Sequence, residues 1–157
     1  MSKKTNAMRI LDQKKVSYQV IEYDIKDGNI DGVSVAKKVG KPVESVYKTL
    51  VMVGSSKNYY VAMVPVEANV NMKLVAKHFG EKKMEMIHVK DILKITGYIR
   101  GGCSPLGMKK AYKTVIDESI NEIDEIVFSA GKQGLQIEMS SDGLIEILSC
   151  DVKKVID

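Results

Sequence analysis

The stretch Gly101-Gly102-Cys103-Ser104-Pro105-Leu106-Gly107 puts three glycines, a serine and a proline into seven residues. It cannot be a helix interior or a central strand, because glycine loses entropy there and proline lacks the N–H. Adjacent glycines let a backbone come close to a ligand and turn N–H groups inward, a nest that can hold an anion or a developing oxyanion. Taken alone, such a loop reads first as a tight turn between two elements. The second residue with chemical potential is Lys48, set in the otherwise apolar run VYKTLVMV. Burying its ammonium is costly, so its head either escapes to water, as on an edge strand, or serves as a cation fixed for an anionic partner. No Ser-His-Asp arrangement, HExxH motif or pair of catalytic carboxylates accompanies these residues. Cys103 lies in the glycine loop without a histidine near it in sequence, so it reads as a small packed hydrophobe rather than an attacking thiol.

Positioning these residues falls to short, alternating elements. Lys48 sits in the first strand of an expected hairpin, VYKTLVMV and YYVAMVPV joined by Ser55-Ser56-Lys57-Asn58, whose near-continuous apolarity implies that both faces are covered. Before it come a helix over Thr5 to Lys15 with Asn6 as a cap, a strand over Tyr18 to Tyr23, a polar loop from Asp24 to Gly32, and a short helix capped by Ser34. After it come a helix capped by Asn71 and ended by Gly80, a short strand KKMEMI, and a helix from His88 to Thr96 stopped at Gly97. Beyond the glycine loop, KTVID, EIVFSAG and LQIEM read as strands, the last two joined as a hairpin. A helix started by Asp142 and a strand or tail DVKKVI finish the chain. About seven strands with short, irregularly placed helices make an α+β domain around one mixed, mostly antiparallel sheet. The regular βαβ alternation of a doubly wound fold is missing.

At 157 residues, 45% hydrophobic and 28% charged, the chain has the length and composition of a single globular domain over 1–157. Its longest apolar runs are strand-length, so no membrane span is expected, and Asn6, Arg9 and Asp12 interrupt any secretory signal begun by Lys3 and Lys4. A cytoplasmic protein is expected. Cys103 and Cys150, like His78 and His88, fit no metal-ligand spacing, so neither zinc nor a disulfide is expected. The net charge of +4 is mild for a nucleic-acid binder, but the basic residues cluster: Lys37-Lys38 with Lys41, Lys82-Lys83, Lys109-Lys110 with Lys113, and Lys132. Such clusters either track phosphates or are solvated helix faces.

YKTL at Tyr47 to Leu50, VAMVPV at Val61 to Val66, TGYIRGGCSPLGMKK at Thr96 to Lys110, VID at Val115 to Asp117 and SAGKQGL at Ser129 to Leu135 together resemble the YbaK/EbsC family. These are freestanding Cys-tRNA(Pro) deacylases related to the editing domain of some bacterial prolyl-tRNA synthetases. The resemblance covers essentially the whole chain. It implies catalytic roles for Lys48, Gly101, Gly102 and Ser104. It implies substrate-binding roles for Tyr23, Thr49, Pro105, Ser129, Gly131 and Gln136. Where the family commonly shows GGKRG-L-D, this chain has Ala130 to Gln136 with Gln133 and Gln136 in place of an arginine and an aspartate.

The activity implied is hydrolysis of the ester joining a mischarged amino acid to the terminal ribose of tRNA, without cofactor. A synthetase pocket rejects a near-isosteric amino acid by only about 1–3 kcal/mol, which is why a second, editing site is needed. The resemblance implies that the substrate's own thiol attacks its ester carbonyl, which suits a chain with no evident nucleophile. The implied partners are the 3′ acceptor end of aminoacyl-tRNA and prolyl-tRNA synthetase. A deacylase for another small amino acid, such as Ala-tRNA(Pro), and a binding module without chemistry remain as alternatives.

Overall fold

Eight strands and five helices follow one another along residues 4–157, the part of the chain that this computed structural model describes; Met1 to Lys3, read above for a secretory signal, lie outside it. The expected hairpin forms from β2 (Tyr47–Gly54) and β3 (Tyr59–Pro65), antiparallel, with Lys48 opposite Val64. β4 (Met84–Met86) adds antiparallel to the far end of β2, while β5 (Lys113–Asp117) and β8 (Asp151–Lys153) continue beyond β3 in parallel. The resulting sheet has the order β4-β2-β3-β5-β8. A second, antiparallel sheet has the order β1-β7-β6, from Gln19–Glu22, Leu135–Ser140 and Glu125–Ser129.

The α+β class therefore holds, with eight strands divided between two sheets. Alternating apolar residues fix which segments are extended, but not which edges pair, and the division lies in the pairing. The sheets meet at one isolated parallel bridge, Val46 to Val127. β4 pairs only with Met52 to Gly54, so the half of β2 that carries Lys48 and Thr49 has no β4 neighbour.

Both faces of the hairpin are covered, as its sequence implies. On one face Tyr47 and Met63 pack with Ile116, Phe128 and Ile137 beneath α1 (Asn6–Gln13) and α5 (Ser141–Leu148). On the other, Met52, Ala62 and Val64 pack with Val75 and Ala76 of α3 (Met72–Phe79). α2 (Gly32–Val39) seats Ala36 against Val46, Val66 and Val127 at the junction of the sheets. Gly32 permits this approach, since a Cβ there would lie 2.6 Å from Val66 Cβ. The short α4 (Ile92–Thr96) follows a single 3-10 turn and ends at Gly97.

Three helix caps differ from the sequence reading. Thr5, not Asn6, caps α1, accepting from the Met8 N–H at 3.2 Å. Asp31, not Ser34, caps α2 and accepts from Ser34 N at 3.1 Å. Ser140, not Asp142, caps α5, accepting from Gly143 N at 3.2 Å. Each helix begins slightly earlier than its apolar pattern, because the first turn needs a cap and not a buried side chain.

Two carboxylates lock loops. Asp117, 1% exposed, accepts from Val155 N at 2.9 Å and Ser119 N at 3.1 Å, tying β5 to the C-terminal segment. Glu81 accepts from the Ser56 N–H at 3.0 Å, the Tyr60 hydroxyl at 2.6 Å and the Ser55 and Ser56 hydroxyls, fastening the β2–β3 turn.

Candidate active site

A cleft of about 130 Å³ opens where the two sheets meet, with room for a few waters or a small aminoacyl group. Lys48 and Thr49 of β2, Ser129 at the end of β6, Gln136 of β7, Tyr23 just past β1 and Gly101 of the glycine loop all line it. The strand pairing accounts for this convergence. Ser129 and Gln136 face each other in the β6–β7 register, and the Val46–Val127 bridge carries the start of β2 to β6. Val35 of α2, with Val46 and Val66, adds an apolar wall.

The Lys48 ammonium donates to Ala68 O at 3.0 Å and, more loosely, to Val66 O at 3.5 Å, so two backbone carbonyls fix its position at the cleft. Partial burial lowers its pKa from the ordinary lysine value. It is the one formally charged side chain among the described residues that line the cleft.

Beside it, Tyr23 OH and Thr49 Oγ1 are buried and meet no hydrogen-bonding partner among the described residues. A buried hydroxyl left unpaired costs about 1–3 kcal/mol, so native proteins rarely keep one without a use for it. Two such atoms in one cleft mark positions where a ligand's polar groups would be satisfied. A third, Ser141 Oγ, lies in the first turn of α5 and does not line the cleft.

The glycine loop is both a wall and a brace. Gly101 has φ +80°, in the left-handed region that other residues enter at a cost, and a Cβ there would press on Ile30 Cδ1 at 3.0 Å. Gly102 is a packing glycine, for its missing Cβ would lie 3.1 Å from the backbone of Lys132 and Gln133. Its N–H is committed to Ile99 O at 3.0 Å, whereas the N–H groups of Gly101 and Cys103 meet no acceptor among the described residues. Gln133, one of the two departures from the family pattern, donates to Arg100 O at 2.7 Å and ties the loop to the β6–β7 turn. Ser104 and Pro105 are buried and do not line the cleft; the Ser104 hydroxyl accepts from Leu106 N at 3.4 Å. Gly131 also stands behind the wall, its N–H donating to Ser129 Oγ at 3.2 Å.

Ile30 and Gly32 line the cleft although they belong to a segment read as a polar loop. The overlooked signal was Asp31, three residues before Ser34, which starts α2 early and swings this segment over β2. Tyr98 was overlooked too. A Cβ at Gly107 would lie 2.7 Å from the Tyr98 hydroxyl and one at Gly131 2.8 Å from its ring, and the hydroxyl donates to Leu106 O.

Cys103 lines the cleft but packs with Val51, Val61 and Ile95, and burial pushes its thiol up to about 11. It stays protonated at neutral pH and is a poor nucleophile. Both cysteines are free, and no group of three or more potential metal ligands occurs among the described residues. Three of the clustered lysines form ion pairs: Lys38 with Asp27 at 2.7 Å, Lys41 with Glu138 at 2.9 Å and, on the surface, Lys83 with Glu85 at 3.0 Å. Lys109, Lys110 and Lys132 form no ion pair among the described residues. No helix is long and apolar enough to cross a membrane.

Comparisons with known proteins bear on the fold and the family. A protein of Enterococcus faecalis, EbsC, named as a candidate Cys-tRNA(Pro)/Cys-tRNA(Cys) deacylase, is 42% identical over 144 residues, 92% of this chain and 88% of that protein. Among solved structures, the hypothetical protein APE2540 superposes with a TM-score of 0.88 at 16% identity, over 98% of this chain and 100% of that one. A candidate trans-editing enzyme for prolyl-tRNA synthetase superposes with a TM-score of 0.84 at 18% identity, over 99% of both chains. These two structures establish the fold. Residues 31–147, which carry every cleft residue named above except Tyr23 and Ile30, match the aminoacyl-tRNA editing domain, and the chain belongs to that family.

Proposed function

We propose that this protein removes cysteine from mischarged Cys-tRNA(Pro), acting in trans as an aminoacyl-tRNA deacylase. One observation carries the reading: a small cleft in which two buried, unpartnered hydroxyls stand beside a single lysine held by carbonyls. That is a site prepared for a small polar group next to an anionic or carbonyl-bearing one. The 42% identity to EbsC supplies the substrate class.

The aminoacyl ester enters with its side chain toward Val35 and Val46 and its polar groups toward Tyr23 OH and Thr49 Oγ1. Lys48 holds the terminal ribose-phosphate end or polarises the ester carbonyl. The cysteinyl sulfur then attacks that carbonyl carbon; the C–S bond forms, the ester C–O bond breaks, and the 3′-terminal ribose oxygen leaves and takes up a proton. Free N–H groups of Gly101 and Cys103 receive the charge that develops on the carbonyl oxygen. Water opens the strained four-membered thiolactone and releases cysteine. Ser129 donates near the ribose hydroxyls. Gly102, Ser104, Pro105 and Gly131 keep the two loops in register.

A free thiol has a pKa of about 8.5 and is a few per cent thiolate at neutral pH, whereas a serine hydroxyl is essentially never ionised. Buried Cys103 cannot substitute for the substrate thiol. The protein works on tRNA in the cytoplasm, with prolyl-tRNA synthetase as the partner that delivers it. Exposed Lys109, Lys110 and Lys132 add a salt-dependent share of affinity.

Release of labelled amino acid from Cys-tRNA(Pro), Ala-tRNA(Pro) and Ser-tRNA(Pro) tests this reading. Fast loss of cysteine with seryl and alanyl esters intact is expected. Comparable loss from Ser-tRNA(Pro) would replace the substrate thiol with an enzyme-directed water, and loss of alanine alone would move the specificity to Ala-tRNA(Pro).

A further inference from the structure

The charge of the cleft says something about the substrate that its size does not. Among the lining residues Lys48 is a cation and none is a carboxylate. Tyr47, the remaining titratable group on β2 there, is buried, its hydroxyl is paired with Ser119 Oγ at 2.6 Å, and burial raises its pKa. Cys103, from the glycine loop, is held protonated by burial. In the segment leading into α2, Asp27 is paired with Lys38 and Asp31 caps the helix, while Glu22, Asp24 and Glu67 are exposed; none of the five lines the cleft. Glu67 lies between the two residues whose carbonyls hold Lys48, yet forms no ion pair with it among the described residues. Arg100 and Lys132, near the glycine loop, are cationic as well.

An α-ammonium brought into this space would sit near Lys48 without a counter-ion. Burying an unpaired charge beside a like charge is among the most costly arrangements in a protein. What the cleft does offer is neutral. Gln136, 6% exposed on β7, makes no side-chain hydrogen bond among the described residues and stands with the unpartnered Tyr23 and Thr49 hydroxyls.

Resting on the deacylase reading above, we infer that the site takes the aminoacyl group with its α-amine uncharged, and that Gln136 is the residue that sets this preference. A neutral amine donates to the Gln136 carbonyl oxygen and accepts from a hydroxyl or from the Gln136 N–H₂, so every partner is satisfied without a charge being buried. An α-amine in water has a pKa of about 8, so at pH 6 only about one molecule in a hundred is in the accepted form. The site would then bind its substrate more tightly as pH rises toward 8.5, through the substrate's titration and not the protein's.

Two non-hydrolysable analogues test this: adenosine carrying a 3′-cysteinyl amide, and the same molecule carrying a 3-mercaptopropionyl amide, which keeps the thiol and lacks the amine. Their affinities for the wild type are measured at pH 6 and pH 8.5 by calorimetry. The same pair with each thiol methylated, which no longer titrates, separates the amine's titration from the thiol's. The expected result is that the deamino analogue binds about tenfold tighter at pH 6, and that the cysteinyl analogue gains about 75-fold on it by pH 8.5, as the neutral fraction of its amine rises. Gln136→Glu should reverse the pH 6 preference by supplying a counter-ion. A cysteinyl analogue that binds more tightly than its deamino partner at pH 6 would overturn the inference and leave the deacylase reading standing. Binding of neither analogue would overturn both.

Discussion

Two buried polar regions lie at opposite extremes of satisfaction. The Asp117 carboxylate is as buried as the core, yet each of its oxygens accepts a backbone N–H, from Val155 and Ser119. In the cleft, Tyr23 OH and Thr49 Oγ1 are also buried, yet neither has a partner among the described residues. Both regions set polar atoms in a low dielectric, where a hydrogen bond is strong and its absence is costly. The satisfied region holds the fold together, whereas the unsatisfied one holds stability in reserve for a ligand. Substitutions should therefore separate them: at Asp117 stability falls, and in the cleft activity falls.

The largest effect is expected at Lys48. Lys48→Ala should lower kcat/KM for Cys-tRNA(Pro) by about a hundredfold or more, the range seen when one group that stabilises developing charge is removed. The urea midpoint should stay near that of the wild type, because a partly buried ammonium held only by carbonyls adds little to stability. Asp117→Ala should do the reverse. Orphaning two N–H groups at about 1–3 kcal/mol each predicts a loss of about 2–6 kcal/mol in urea unfolding, with the folded fraction still active.

The smallest effect concerns acid. Glu81 has its pKa lowered to about 2, first by the Ser56 hydroxyl, then by the Tyr60 hydroxyl and the Ser56 N–H. A carboxylate with a depressed pKa stabilises the fold above its ordinary value of 4.5, and that contribution is lost as pH falls from there toward 2. Glu81→Gln should thus narrow the difference in stability between pH 6 and pH 3 in thermal unfolding, without changing deacylation at neutral pH. An unchanged pH profile would remove Glu81 from the turn's stabilisation.

How much of this was readable in the sequence depends on the range of the interaction. The hairpin around Lys48 was legible because alternation and a polar turn are local, and the glycine loop because glycine and proline act on their own backbone. The gathering of Tyr23, Ser129 and Gln136 around Lys48 came only through the family resemblance, since nothing in composition brings positions 23, 48 and 129 together. Their convergence depends on how the two sheets join, at the Val46–Val127 bridge and through Tyr47 and Met63 packed on Phe128 and Ile137. The separate jobs of Gly101 and Gly102 were illegible for a similar reason. Gly101 is needed for its φ, but Gly102 for the nearness of Lys132 and Gln133, thirty residues on. The caps of α1, α2 and α5 were misplaced by one to three residues because several polar residues could serve, and only the turn geometry chooses.

The most direct test joins both sides of the comparison in one pair of samples. Release of labelled cysteine from Cys-tRNA(Pro) is measured for the wild type and for the double variant Tyr23→Phe/Thr49→Val, with urea unfolding recorded on each. Losing one hydrogen bond to the bound ester corresponds to about tenfold per hydroxyl, while removing hydroxyls that have no partner in the free protein should leave the fold as stable or more so. The account predicts slower release, by about tenfold to a hundredfold, from a protein no less stable than the wild type. Equal release by both proteins, or no release by the wild type, would contradict it.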